Sequence, residues 1–320
     1  MMVRRIFLPC LMSLAIYAVL FGVVLDRPLS LGMFRLLIDA KLARGASIEG
    51  RKLVVIAGSN ALYSHRCETM EPLLGIPCVN AGVVVGIGLD YLFARWEKLL
   101  HPGDIVYLPM EEAQYTRTYA ATSVGPDAAI MFRHDWVTLM RLSPDRILGA
   151  VFSFGPRAAL MSLIETVLVD SGFHDPRAAD VGSTNAWGDH VGHTAALGFA
   201  NAGHLATMMP YHPSAAAIAS GDGTAMIRSF IEWADAHGIL VVGGLPAGFA
   251  RSPIPDTTRA AIAAVYTEAG ARFIDLHDRY PQSAFFDTPD HLNEAAQIVH
   301  SQAVAAALAV TMAPAQAASR

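Results

Sequence analysis

The chain has 320 residues, 53% of them apolar and only 16% charged, enough hydrophobic side chain for a sizeable core and far from the composition of a disordered protein. Lys and Arg number 23 against 28 Asp and Glu, a formal charge of -5 without the basic excess that an extended nucleic-acid site needs. Three cysteines, with no CxxC and no Cys/His cluster, exclude a structural zinc site, which takes four such ligands at short spacings.

Arg4 and Arg5 precede residues 6–25, an uncharged stretch long enough to cross a hydrocarbon core of about 30 Å. Basic residues before it and Asp26 after it predict a single-pass transmembrane helix with the N-terminus inside and the rest exported. A cleaved signal peptide is the competing reading, although no small-x-small cleavage site stands around residues 22–27. The expected organisation is a cytoplasmic stub and anchor over 1–25, a connector over 26–50 with a short amphipathic helix at 33–42, and a folded domain over 51–320. Export permits a Cys67–Cys78 disulfide, but an eleven-residue spacing equally suits two separate thiols, and Cys10 falls in the anchor.

In the folded domain, short apolar runs and helical stretches alternate. KLVVIA at 52–57 reads as a parallel strand covered on both faces, followed by a helix over 61–74. Strands are predicted at 76–80, 104–109, 239–243 and 272–276, with helices over 89–100, 223–237, 256–269 and 292–310. Five apolar strands separated by helices predict a three-layer α/β/α architecture around a doubly wound parallel sheet. Residues 113–220 break this rhythm and read as a long insertion after the third strand, with short helices such as 157–168. The tail at 313–320 is small, polar and expected to fray.

Chemistry in such a sheet collects where strands end and loops enter helices. Ala57-Gly58-Ser59-Asn60 ends the first strand and lifts the Ser59 hydroxyl to the start of a helix, whose unfilled N–H groups can receive negative charge. The same position suits a serine that merely caps the helix. Asn80-Ala81-Gly82 opens a glycine-rich loop after the second strand, so the main chain there can approach a ligand closely. After the fifth strand come Asp287, Asp290 and His291, a general base with two carboxylates near it. Asp287 is the better partner, because a turn through Thr288-Pro289 can return it to the ring, whereas adjacent residues usually point apart.

These blocks resemble the SGNH (GDSL-like) hydrolase superfamily, whose members carry a serine after the first strand, a glycine after the second, an asparagine after the third and Asp-x-x-His near the end. The resemblance extends over residues 51–310 in topology and implies a flavodoxin-like SGNH fold. Ser59, Gly82 and His291 match. No acid precedes Ser59, Met110-Glu111-Glu112 stands where the asparagine is expected, and Asp287 lies four residues before His291 instead of three. The resemblance implies Ser59, His291 and Asp287 as the catalytic set, with Ser59 and Gly82 amides plus Asn80 as oxyanion donors. Among exported relatives it is similar to those that accompany bacterial exopolysaccharide synthesis, acylating or deacylating alginate or cellulose. It thus implies an inner-membrane-anchored O-acyl esterase or acyltransferase with its domain in the periplasm, acting on an acylated glycan beside polysaccharide synthase subunits. A non-hydrolytic glycan-binding or scaffold subunit is the alternative.

Asn60, Glu112, Trp187, Asp189 and His190 are the candidate substrate contacts: an aromatic plane with amide, carboxylate and imidazole groups suits a sugar ring, although Trp187 equally suits a small core of the insertion. Glu111 and Glu112 are too close in sequence for a glycosidase pair and are expected to polarise the rim or pair with an arginine. His190, His193 and Asp189 lack the HExxH spacing of a metal site, so neither metal nor cofactor is expected.

Overall fold

The computed structural model describes residues 2–24, 30–153, 160, 163–164, 167–173, 183–276 and 279–312. It is an α/β protein. Strands β1 (Leu53–Val55), β2 (Cys78–Asn80), β3 (Ile105–Leu108), β4 (Leu240–Gly244) and β6 (Arg272–Ile274) form a parallel five-stranded sheet in the order β2-β1-β3-β4-β6. Two further strands, β5 (Gly248–Phe249) and β7 (Arg279–Tyr280), pair in a small parallel sheet that no sequence pattern announced. All residues of β1, β2 and β3 are buried, the state of strands covered on both faces. The predicted strands at 52–57 and 104–109 begin one residue early, because Lys52 and Asp104 lie side by side ahead of the ladder as a buried ion pair at 2.7 Å.

Helices flank the sheet in two groups, consistent with three layers. The helix Asp222–Ala236 packs against β4, α5 (Leu89–Trp96) and Asp256–Thr267, while Glu294–Met312 packs against β6, α3 (Ser59–Ser64) and α4 (Cys67–Leu74). The predicted single helix over 61–74 is therefore broken at His65 and Arg66, which are extended. Interior partners cause the break: the His65 carbonyl accepts from Asn80 Nδ2 and Gln297 Nε2, and the Arg66 amide donates to Ser301 Oγ. Glu294–Met312 is apolar and long enough to cross a membrane by length and composition, but its Ala296, Val304 and Leu308 are buried, Ala296 in a cluster with Phe249, Phe285 and Leu292.

The chain divides into two compact units, one of residues 1–36 and 123–182, the other of 37–122 and 183–320. The expected insertion over 113–220 therefore does not stand apart as a whole, since residues 183–220 pack within the larger unit. So does the end of the expected connector: α2 runs Ser30–Ala46, and its Leu37, Ile38, Lys41 and Leu42 are buried. Burial lowers the Lys41 pKa to about 7, and its Nζ donates to the carbonyls of Asn80 and Gly188. In the smaller unit, α1 (Met2–Val24) is one helix of 23 residues, about 35 Å long. Arg146 and Asp127 form a fully buried ion pair in the same unit. The predicted helix at 157–168 lies mostly outside the described residues, and the tail at 313–320 wholly so.

Candidate active site

Ser59 is the first residue of α3, so its amide is one of the donors a helix leaves without an intrahelical acceptor. Its hydroxyl donates to Glu111 Oε1 at 3.4 Å, and the neighbouring Asn60 amide donates to the same oxygen at 3.0 Å. The carboxylate fits because position 58 is glycine: a Cβ there would stand 2.4 Å from Glu111 Oε1. Gln114, three residues on, completes a capping box with Glu111 and accepts the Gly58 amide at 3.2 Å. Burial raises the Glu111 pKa, against the opposing pull of the Asn60 amide, the His291 charge and the Ser59 hydroxyl.

The loop before the last helix is closed by a bridge between Phe285 and Leu292 and by the Phe286 amide donating to the His291 carbonyl at 2.8 Å. Phe285 and Leu292 sink into a cluster with Phe249 and Leu205. Ser64, at the end of α3, pins the loop by donating to the Asp290 carbonyl and accepting the Leu292 amide. The result sets His291 Nδ1 2.7 Å from Asp287 Oδ1. Burial disfavours the Asp287 carboxylate, but the hydrogen bond and charge of His291 outweigh it and hold the group below its ordinary pKa. The His291 ring stacks on Tyr63, centroids 4.1 Å apart and planes 8° off parallel. Tyr63 is four residues after Ser59, hence on the same face of α3 one turn along. The Ser59 hydroxyl nonetheless bonds to Glu111 here, and not to His291.

His190 and His193 pack around the same Tyr63 ring, 4.3 and 5.3 Å from its centroid. Burial lowers their pKa values to about 3 and 4, with neighbouring positive charge adding to this at His190 while Glu294 and the Tyr63 backbone oppose it at His193, so both are neutral at pH 7. Among the described residues no group of three or more His, Cys, Asp or Glu stands close enough to hold a metal ion.

Several predicted contacts take other roles. Gly82 is not an open oxyanion donor: its amide donates to Asn80 Oδ1 at 3.0 Å, and its missing side chain admits α3, since a Cβ would lie 2.6 Å from the Leu62 nitrogen. Asn80 is fully buried with Nδ2 on the carbonyls of Ala61 and His65, so its amide is equally engaged. Asn60 is also buried and ties α3 to the end of β3 through Pro109 O. Asp189 does not face solvent, because both its oxygens cap α4 through the amides of Cys67 and Glu68 at 2.7 and 3.0 Å. His190 is 5% exposed and belongs to the aromatic layer. Trp187 is half-buried, its Nε1 donating to Glu71 while its carbonyl accepts the Asn80 amide and covers the edge of β2. Glu112, a candidate substrate contact expected to polarise the rim or pair with an arginine, pairs with His212 at 2.9 Å.

Sequence reasoning missed the contact of Glu111 with Ser59, and it missed Tyr63. The i,i+4 spacing of Ser59 and Tyr63 was a usable signal; nothing local pointed Glu111 at Ser59. Comparison with protein-family models, curated proteins and solved structures returns no match for this chain.

Proposed function

We propose that this protein is an exported, membrane-anchored SGNH-like serine esterase or acyltransferase that acts on O-acyl groups of a glycan, such as a bacterial exopolysaccharide of the cellulose kind. The observation that carries this reading is the Asp287–His291 pair, stacked on Tyr63 one helical turn along from Ser59 on the same face. In the cycle, the Ser59 hydroxyl turns from Glu111 to His291 and its oxygen attacks the acyl carbonyl carbon. His291 takes the proton, and Asp287 holds the Nδ1 hydrogen and steadies the imidazolium. The Ser59 amide donates to the tetrahedral oxygen; the sugar alkoxide leaves with the proton from His291, and the acyl-serine passes to water or another hydroxyl. The neutral imidazoles of His190 and His193 let the positive charge develop on His291. The uncharged run over 6–25, with Arg4 and Arg5 before it and Asp26 after it, supports anchorage with the N-terminus inside and the folded domain exported.

A second reading, a non-hydrolytic glycan-binding or scaffold subunit of a polysaccharide synthase, is favoured by one observation: the Gly82 amide and the Ser59 hydroxyl are both already engaged. Turnover of an acetyl-ester chromogen by the detergent-solubilised full chain separates the two. Loss of that turnover in Ser59→Ala is the expected result; a folded wild-type protein without turnover favours the scaffold.

A further inference from the structure

In the smaller unit the usual placement of charge and hydrocarbon is inverted. The helix Pro144–Phe152 buries Arg146 and Ala150, Arg146 as the partner of buried Asp127, while its Leu148 and Phe152 are 59% and 70% exposed. Residues four apart share a helix face, so the charged face is covered and the apolar one open. Ahead of this helix, Trp136, Val137 and Met140 are exposed while Thr138 and Leu139 are buried. Beyond it, Leu160, Leu163, Ile164, Val167 and Leu168 are helical and exposed, at the spacing of a single helix face. Single exposed hydrophobes are ordinary in water, but open apolar faces on three successive segments are not. A bilayer suits them, because lipid accepts apolar side chains outward and leaves a charged pair no place but the protein interior.

The chain itself supplies the route to that bilayer. The same compact unit contains α1, whose Phe7, Leu8, Met12 and Ile16 are exposed as well. Arg35 Nη1 lies 3.1 Å from the His134 ring, so the open segments are tied to the tenth residue after the uncharged run over 6–25. At 1.5 Å per residue, Pro144–Phe152 is about 14 Å long, too short to span a hydrocarbon core of about 30 Å, so it can lie in the interface but not cross. Trp136 and Arg141, both exposed, are side chains that settle at headgroup level with the apolar part inward.

We propose that the exposed faces of 136–140 and Pro144–Phe152 form a monotopic lipid-binding surface, a second membrane contact beside α1. Leu148 and Phe152 enter the boundary between headgroups and acyl chains, and the Arg146–Asp127 pair stays on the protein side. With α1 as the anchor, the surface lies in the outer leaflet. The leaflet rests on the anchor reading; the lipid contact rests on the inverted faces.

The test places an environment-sensitive bimane label on the full-length chain in phospholipid nanodiscs. Val137→Cys, Leu148→Cys and Phe152→Cys, each combined with Cys10→Ser, carry the label, and Cys67 and Cys78 take none because they are disulfide-bonded. The expected result is that lipid with a nitroxide on its acyl chain lowers emission at all three positions about twofold or more, while iodide in the water leaves it nearly unchanged. Asp256→Cys in Cys10→Ser, at an exposed charged position, should show the reverse. Iodide quenching without lipid quenching at Leu148→Cys and Phe152→Cys leaves the face to a protein partner and overturns the proposal. Protection from both quenchers marks a second copy on the face and overturns it too. The labelled positions are exposed and lie on two segments, so a failure of one variant to fold leaves the others decisive. The wild-type chain labelled at Cys10 reports on α1 separately. Lipid quenching at Cys10 with none at the three new positions sinks this surface alone, and the opposite pattern sinks the anchor reading alone.

Discussion

Glu111 and Glu112 are neighbours whose carboxylates serve different serine-bearing segments: Glu111 accepts from Ser59 and Asn60 after β1, whereas Glu112 meets His212 at 2.9 Å. The chain turns there from β3 into a short helix, Glu112–Thr116, for which Glu111 is the cap, so consecutive side chains diverge. One dipeptide thus ties two segments distant in sequence to the end of β3.

Glu111 holds an acceptor where an oxyanion needs a donor. A carboxylate there opposes developing negative charge, while glutamine keeps an oxygen for the Asn60 amide and adds an N–H. We expect Glu111→Gln to raise kcat on an acetyl ester about tenfold, below the roughly 10²- to 10³-fold that a well-aimed oxyanion donor supplies, and Glu111→Ala not to. A fall in kcat for the glutamine variant would instead mark the carboxylate as required.

The proposed mechanism takes Asp287 rather than Asp290 as its acid, because of the two it is Asp287 that bonds to the His291 ring, at 2.7 Å. Asp287→Asn should lower kcat by about 10²- to 10⁴-fold with little change in KM. Steady-state kinetics of Asp287→Asn and Asp290→Asn side by side check this; a larger loss in the Asp290 variant would reverse the assignment.

Asp290 bears instead on stability. Burial, with the charge of Glu111 beside it, raises its pKa to about 7, and Glu112 adds to that while His291 and Arg279 oppose it. An unfolded aspartate titrates near 4, so between about pH 4 and 7 the folded protein binds the extra proton and stability falls as pH rises. Asp290→Asn removes this contribution. Its unfolding midpoint relative to wild type should be higher at pH 8 than at pH 5; an equal difference at both pH values would refute the assignment.

Cys67 and Cys78 form a disulfide that joins the first residue of α4 to the first of β2. Cys67→Ala/Cys78→Ala should lose about 2–4 kcal/mol of stability, and reductant should lower the wild-type unfolding midpoint to match. Cys10, free and exposed, should tolerate serine without effect. An unchanged midpoint under reductant would show that the link does not stabilise the fold.

What the sequence determined by itself is what local composition controls. Apolar runs such as LVV and IVYL have no stable state except between two covering layers, so strand positions and the parallel α/β class were legible, as were the serine after the first strand and the histidine before the last helix. Helix lengths were less so: the break at His65 depends on Asn80 and Gln297, which lie far off in sequence and present their amides only in the folded state. The roles of Gly82, Asn60 and Asp189 were decided the same way, because a buried amide or carboxylate must find a partner, and those partners sit on other elements. Only the tertiary structure could turn Glu111 to Ser59, stack His291 on Tyr63 and bring Ser252 to His212. Each of these joins segments with no sequence relation, and their meeting is set by how the sheet, its helices and the closing loop pack.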